Sequence, residues 1–293
     1  MAGQDEAAGA YRASDGASYD RFLGRWTRRL AEAFADFAGL PEAGAVLDVG
    51  CGTGSLAATI AQRRPACRVV GIDRAAPYVA FASGARALPN LRFQEADAAT
   101  ALPFADGTFD AVLAQLVMNF LPDPAAALRE MARAARPGAV VAACVWDFAG
   151  GLVYQRLLWD TLAGTDPAAG AVRDRLFSHP LAQPDGLRGL WTTGGLATVA
   201  TASLTIRMDY ESFDDYWQPL RGGQGPVGSY VAALAGVRQA CARELVRAAY
   251  LSGRPDGPRS LTATAWAVRG LAPGRMPDAA DRPIGAVRER PSK

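Results

Sequence analysis

The chain has 293 residues but only one histidine, His179, and one lysine, Lys293. Its four cysteines are scattered, with no Cys-x-x-Cys pair and no cysteine at a ligand-like spacing from the histidine. Such a sequence supports neither a disulfide framework nor a zinc site, and we expect no bound metal.

A charge excess is also missing, since 31 basic and 29 acidic residues are interspersed and leave a net charge of +2. This balance gives no electrostatic reason to expect nucleic acid as a partner. The longest apolar run, residues 139–146, is too short to cross a bilayer, and residues 1–16 contain no apolar segment typical of a signal peptide. We therefore expect a cytoplasmic protein that contacts no membrane.

Glycine is abundant, and three glycines alternate directly after a short apolar run. Residues 46–49 are typical of a strand, Gly50, Gly52 and Gly54 follow at every second position, and residues 55–61 are typical of a helix. In such a turn the glycines let a ligand lie against bare backbone, while the helix N-terminus offers unpaired N–H groups. The spacing departs from the dinucleotide fingerprint Gly-x-Gly-x-x-Gly, and no P-loop lysine follows.

The segment Asp-Val-Gly-Cys-Gly-Thr-Gly at residues 48–54 resembles motif I of the class I S-adenosylmethionine (SAM)-dependent methyltransferases. The resemblance points to bacterial small-molecule enzymes of the ubiquinone and menaquinone biosynthesis type. It covers residues 19–146 well and residues 199–268 loosely. It implies SAM as the cofactor and S-adenosylhomocysteine as the product.

Strand and helix patterns alternate after the glycine loop, which predicts parallel βαβ units and an α/β, doubly wound sheet. Two later strands, near residues 199–208 and 261–268, resemble the end of the seven-stranded, Rossmann-like methyltransferase fold, whose last strand is antiparallel. Strands are predicted at residues 45–49, 68–73, 91–95, 109–115 and 139–146, and helices at residues 55–63, 76–87 and 124–135.

One methyltransferase domain is expected over residues 18–272, and the insertions fall where the family builds its substrate cover. The predicted segments are a disordered N-terminus (1–17), a cap helix (18–40), a SAM-binding core (41–146), two cover insertions (147–195 and 211–250) and a disordered tail (273–293).

Acidic and amide side chains stand where strands of such a sheet end. Asp73 ends the second strand, about 20 residues after the glycines, where a carboxylate can accept hydrogen bonds from both hydroxyls of a ribose; it can equally cap the next helix. Arg74 can lie along an adenine or face solvent. Asp48 can order the glycine loop or favour a cationic ligand, and Gln115 ends the fourth strand at the ligand-binding edge.

The resemblance adds four further cofactor contacts. In the family an acidic residue after the third strand accepts the adenine amine and the next backbone N–H donates to the ring, which corresponds to Asp97 and Ala98. A segment of the first helix closes over SAM in many bacterial members, so Tyr19 and Arg25 are expected there, with Arg25 pairing the SAM carboxylate. Tyr19 fits equally well as a core residue of an amphipathic helix.

No acid–base pair stands out, and the catalytic residues stay unknown. His179 is the one candidate general base, although a lone histidine is more often a surface or packing residue. Because the sulfonium is already an activated leaving group, methyl transfer needs mainly alignment and exclusion of water.

These features predict SAM-dependent methyl transfer to an O, N or C atom of a small molecule, by a monomer or homodimer. Three alternatives stay open. A SAM-binding protein of this fold can act as a cyclase or a binding module without methylating anything. A nicotinamide dehydrogenase shares the sheet but lacks support from the glycine spacing and has no Tyr-x-x-x-Lys pair. An RNA methyltransferase lacks its basic patch.

Overall fold

The computed structural model describes residues 15–274, so most of the two predicted disordered ends, residues 1–14 and 275–293, lie outside the described residues. The strands are β1 (Gly44–Val49), β2 (Cys67–Asp73), β3 (Leu91–Glu95), β4 (Phe109–Gln115), β5 (Ala135–Trp146), β6 (Ala197–Tyr210) and β7 (Arg259–Leu271). The α-helices are α1 (Gly16–Tyr19), α2 (Arg25–Ala38), α3 (Ser55–Arg63), α4 (Ala76–Ala85), α5 (Pro124–Ala134), α6 (Val153–Ala163), α7 (Pro167–Phe177), α8 (Gly186–Thr193), α9 (Phe213–Trp217), α10 (Gly225–Ala233) and α11 (Gly236–Leu251).

All seven strands form one sheet in the order β3-β2-β1-β4-β5-β7-β6. Strands β1 to β5 are parallel, and β7 lies antiparallel between β5 and β6. The predicted seven-stranded, doubly wound sheet with an antiparallel last strand is therefore confirmed.

Helices cover both faces of the sheet, which is why its central strands are almost continuously apolar. In β1, Val46 packs with the core under α2 and α3, whereas Leu47 and Val49 pack with the core under α5 and α8. Helices α6, α7, α9, α10 and α11 join the first of these cores. The alternation along β1 also turns Asp48 toward the α3 face, where the candidate site lies.

The cap helix begins earlier than the sequence predicts. Residues 16–38 are helical throughout, with a π-helical turn at Asp20–Gly24 between α1 and α2. Asp15 caps this segment, since its carboxylate accepts the backbone N–H of Ala17 and the hydroxyl of Ser18. Placing residues 15–17 in the disordered N-terminus was therefore wrong, because a local side-chain cap holds them in helix.

Strand β5 also begins earlier, at Ala135, although Pro137-Gly138 indicates a turn. Phe109 of β4 pairs with Ala135 of β5, and Ala111 of β4 pairs with Val140 of β5. The one residue between these positions on β4 therefore lies opposite four residues of β5, and the strand pairing is irregular there. A proline, which lacks an N–H, is tolerated in a strand at such an irregularity.

Gly54 is a glycine at which an added side chain should be costly. Its φ is +79°, and a Cβ there would lie 2.6 Å from Cζ of Phe93. We expect Gly54→Ala to lower the free energy of unfolding by about 1–3 kcal/mol, measured by chemical denaturation. Gly84→Ala in α4 is the matched control: a Cβ there meets nothing within 4 Å, so it should raise stability by about 0.5–1 kcal/mol. Equal effects of the two substitutions would contradict the prediction.

Candidate functional site

A cleft opens at the carboxyl ends of strands β1 to β4. The chain runs outward from β1 to β3 on one side and resumes at β4 on the other, so the strand order reverses between β1 and β4. This reversal leaves a crevice where open α/β sheets bind ligands. The loops after these strands supply most of the residues that line the cleft.

The glycine loop forms the floor of the cleft. Gly50 and Gly52 line it, and a Cβ on Gly52 would meet nothing closer than the ring of Tyr19, at 3.9 Å. Bare backbone is thus open to a ligand at this position. Gly54 is not among the residues that line the cleft, and it lets α3 pack closely against Phe93; its contact with the cofactor stays a prediction.

Asp73 connects the end of β2 to the glycine loop. Its Oδ2 accepts the backbone N–H of Gly52 and its Oδ1 accepts that of Ala75, each at 2.9 Å. Burial raises the pKa of this carboxyl, and the two hydrogen bonds oppose the rise. A carboxylate has about four acceptor positions, so Asp73 orders the loop and keeps acceptor capacity toward the cleft, which it lines.

Asp48 is a buried carboxyl at the inner wall of the cleft. Its Oδ2 accepts the backbone N–H of Ala57 in α3 at 3.0 Å, while its Oδ1 is buried without a hydrogen-bond partner among the described residues. Burial raises the pKa of Asp48 to about 7, and the nearby Asp73 adds to the rise. A buried acceptor without a partner is costly, which favours a ligand that supplies a donor or a positive charge.

Gln115 presents a second such acceptor. Its Nε2 donates to the carbonyl of Thr27 at 3.1 Å, and its Oε1 is buried without a partner among the described residues. Thr27 in α2 also shares a 2.8 Å hydrogen bond with the hydroxyl of Ser55 at the start of α3. The cap helix is thereby joined to the glycine-loop helix at the cleft.

The remaining walls come from loops after β2, β3 and β4. Arg74, Asp97 and Ala98 line one side, and Asp97 accepts the backbone N–H of Ala99 at 2.9 Å. The loop after β4 supplies an apolar wall that includes Phe120, and Tyr19 of α1 lies across from the glycine loop. The structure thus brings together nine of the eleven predicted cofactor residues, namely Tyr19, Asp48, Gly50, Gly52, Asp73, Arg74, Asp97, Ala98 and Gln115.

Arg25 is the other exception besides Gly54. Its guanidinium pairs with both carboxylate oxygens of Asp215, at 2.9 and 3.1 Å, and stacks over the rings of Trp26 and Tyr210. It does not line the cleft, and Asp215 occupies it in this structure, so the structure gives the predicted pairing with a cofactor carboxylate no support. Its partner is 190 residues away in the sequence, and only the tertiary fold brings the two together.

His179 does not line the cleft either. It caps the 3₁₀ turn Pro180–Ala182, where its Nδ1 accepts the backbone N–H of Leu181 at 3.2 Å. Burial lowers its pKa, which favours the neutral ring that such an acceptor requires. The structure therefore gives His179 a capping role and removes it as the candidate base.

The predicted cover insertions, residues 147–195 and 211–250, supply none of the described residues that line the cleft. Their helices pack beside the β5-β7-β6 half of the sheet, away from the switch point. They reach the cleft indirectly: Gln224 accepts the hydroxyl of Tyr78 at 2.9 Å, and the ring of Tyr78 lies 5.1 Å from that of Tyr19. The role of these insertions as a substrate cover stays a prediction.

Thr27, Ser55 and the apolar wall after β4 line the cleft but were not predicted from the sequence. Ser55 follows the glycine loop directly, so its position at a helix N-terminus was a usable signal. Thr27 carried no such signal, because it lies in the apolar stripe of an amphipathic helix whose partner is known only from the fold.

Two findings on the described residues bear on other kinds of site. No group of three or more His, Cys, Asp or Glu side chains within residues 15–274 is arranged to hold a metal ion. Within the same range, no helix combines the length and the apolar character needed to cross a bilayer.

Comparison with known proteins agrees with this geometry. Residues 47–143 match the methyltransferase domain family. The chain is 37% identical over 128 residues to trans-aconitate 2-methyltransferase of Azoarcus sp. (strain BH72), covering 44% of this chain and 49% of that relative. It is 42% identical over 117 residues to demethylmenaquinone methyltransferase of Thermus thermophilus, covering 39% and 50%. The chain thus spans about half the length of these curated relatives.

Solved structures share the fold at low sequence identity. A phosphoethanolamine N-methyltransferase of Haemonchus contortus, solved with SAM, gives a TM-score of 0.55 at 14% identity, covering 88% of this chain and 56% of that one. A putative methyltransferase of Bacillus halodurans gives 0.53 at 15% identity, covering 83% and 98%. Motif I and the sheet order agree with the domain match, so residues 47–143 form a methyltransferase domain similar to those of the class I SAM-dependent methyltransferases.

Proposed function

We propose that this protein binds SAM in the cleft and transfers its methyl group to a small-molecule acceptor. The observation that carries the proposal is the pair of buried, unpartnered oxygens, Asp48 Oδ1 and Gln115 Oε1, beside an open glycine loop. SAM carries an ammonium and a sulfonium, and buried acceptors of this kind suit a cationic ligand.

The lining residues divide into three groups by what they can hold. Asp73 would accept the ribose hydroxyls, because its carboxylate already orders the glycine loop against which the nucleoside lies. Asp97 and Ala98 would receive the adenine, with Arg74 beside it. Asp48, Gln115 and the backbone of Gly50 and Gly52 would surround the methionine part.

When bound, SAM would supply a methyl group carried on its sulfonium sulfur. An O, N or C atom of the acceptor would take this methyl group by in-line attack, and S-adenosylhomocysteine would be the leaving group. This chain's residues contribute binding and alignment, worth several kcal/mol of the barrier. The apolar wall around Phe120 and the ring of Tyr19 would exclude water from the reacting atoms. No titratable side chain is assigned as a base.

The charges of the cleft favour an uncharged or cationic acceptor. Among the described lining residues, three are carboxylates and Arg74 is the one cation, placed at the nucleoside side. A tricarboxylate such as trans-aconitate, which gives one relative its name, would bury its charges without partners there. We therefore do not extend that relative's acceptor to this protein. The cytoplasmic location stays a prediction.

Calorimetry followed by a turnover assay tests the proposal. We expect one SAM or S-adenosylhomocysteine to bind per chain and NAD(H) not to bind. Panels of phenols, amines and quinols should then release S-adenosylhomocysteine from SAM, whereas polycarboxylates should not. Binding of NAD(H) without SAM would refute the proposal. SAM binding with preferred turnover of polycarboxylates would refute the acceptor class alone, and binding with no turnover of any panel would favour the non-methylating alternative.

A further inference from the structure

Gln115 lies between the cleft and the cap helix. It ends β4, is 9% exposed and lines the cleft. Its Nε2 donates to the backbone carbonyl of Thr27 in α2 at 3.1 Å, while its Oε1 is buried without a partner among the described residues. A carbonyl oxygen can only accept, so this hydrogen bond fixes which end of the amide meets α2. The acceptor end of the amide therefore remains for a ligand of the cleft.

The orientation of this amide matters because Asp48 supplies a similar acceptor on the neighbouring strand. Asp48 of β1 pairs with Leu113 of β4, and Gln115 is two residues beyond Leu113 on the same face of the sheet. Side chains at such diagonal positions lie within reach of one ligand. The Oδ1 of Asp48 is also buried without a partner among the described residues. The ammonium of a bound SAM would donate to both oxygens.

The start of the cap is the part of the chain that this amide can order. Residues 16–28, here called the cap segment, run through α1, the π-helical turn Asp20–Gly24 and the first turn of α2. A π-helical turn is a rare interruption of the α-helical hydrogen-bond pattern and often marks a functional site. Side chains hold the segment in place, since Asp20 accepts a hydrogen bond from Arg86 at 2.7 Å. Tyr19 of the same segment lines the cleft, so the order of the segment bears on how the cleft is closed.

We propose that Gln115 is a positioning residue that couples cofactor binding to the order of the cap segment. This inference rests on the proposed function: the amide nitrogen binds the carbonyl of Thr27, and the amide oxygen binds the amino-acid part of SAM. Because both partners hold the same side chain in the same orientation, binding of one favours binding of the other, and the coupling is reciprocal. The cap segment then holds Tyr19 more firmly at the filled cleft, which excludes water from the reacting atoms.

Hydrogen–deuterium exchange with saturating S-adenosylhomocysteine provides the first test. We expect this ligand to slow exchange in peptides from the cap segment by about five- to tenfold, the effect of one hydrogen bond, and to leave α5 unchanged. Saturating 5′-methylthioadenosine, which has the nucleoside and the sulfur but no amino-acid part, should bind without this effect. Unchanged exchange with bound S-adenosylhomocysteine, or equal slowing by both ligands, would overturn the proposal. If calorimetry shows no binding of S-adenosylhomocysteine or SAM, the proposed function fails and this inference fails with it.

Gln115→Met separates coupling from a purely structural role. Methionine has a similar length but makes no comparable hydrogen bond, so the Kd for S-adenosylhomocysteine should rise about five- to tenfold. At saturation the ligand should no longer slow exchange in the cap segment.

Gln155→Met is the matched control for this variant. Gln155 is also buried, but its amide bonds Tyr154 and Trp159 and does not line the cleft. The control should lose stability yet keep the full effect of the ligand on the cap segment. A purely structural Gln115 would speed exchange in Gln115→Met equally with and without ligand and leave the difference intact, which would overturn the proposal.

Discussion

Asp73→Ala is expected to weaken SAM binding by about 1–3 kcal/mol, which corresponds to roughly 5- to 150-fold in Kd. Two effects combine in this loss. The variant removes the acceptor proposed for the ribose hydroxyls, and it leaves the N–H groups of Gly52 and Ala75 without their present partner. The glycine loop therefore loses order at the same time as the cleft loses a contact. Calorimetric titration with SAM measures the change.

Glu95→Ala is the matched control for this variant. Glu95 ends the neighbouring strand β3, is exposed and does not line the cleft, so the same truncation there should leave the Kd for SAM within about twofold. A thermal denaturation of both variants separates loss of binding from loss of folding. If Asp73→Ala binds SAM as tightly as the wild type, the assignment of the ribose site is wrong.

Asp48→Asn should remove a large pH dependence of stability. The pKa of Asp48 is raised from 3.8 to about 7, so between these values the folded protein holds a proton that the unfolded chain has released. The free energy of unfolding contributed by this group therefore falls as pH rises through that window and levels off above pH 7. Between pH 5 and pH 8 the fall amounts to about 3 kcal/mol at 1.36 kcal/mol for each pKa unit.

Chemical denaturation of the wild type and Asp48→Asn at several pH values between 5 and 8 measures this difference. The asparagine cannot ionise, and its Oδ1 can still accept the N–H of Ala57. The free energy of unfolding of the variant should therefore increase relative to that of the wild type as pH rises. Titrating groups that do not interact with Asp48 contribute equally to both proteins and cancel. Parallel pH profiles would show that Asp48 does not titrate in this range.

SAM should reduce the pH dependence of the wild type. A cationic ligand beside Asp48 favours the ionised carboxylate and so lowers its pKa, which means that binding releases a proton near neutral pH. Calorimetry in two buffers of different ionisation enthalpy counts that proton. Asp48→Asn should show no such release.

The core of the site could be predicted because it lies on one local unit. Strand β1, the glycine loop and helix α3 follow one another in the sequence, and motif I fixes their residue types. Asp73 and Gln115 could be predicted from the sheet alone, since parallel strands end at one edge and their last residues meet there. Asp97 was predicted from the family resemblance. Strand boundaries were recovered to within a few residues wherever the alternation was regular.

The predicted residues that do not line the cleft have partners that the motif does not reveal. Arg25 has the type and position expected of a carboxylate ligand, yet Asp215 and the ring of Trp26 hold it elsewhere. His179 was a candidate only because it is the single histidine, and the chain folds it into a local cap. The cover insertions were assigned from their position in the sequence, and none of their described residues lines the cleft.

The sequence by itself determined the fold class and the family of the donor site. It did so through the alternating glycines, the acidic residues at strand ends and the absence of competing motifs. These features are local or follow from strand period, so one sequence contains them. The tertiary structure decided which oxygens are buried without partners and where the cap helix is anchored. Burial and pairing depend on contacts between segments far apart in the chain, and only the packed fold specifies those contacts.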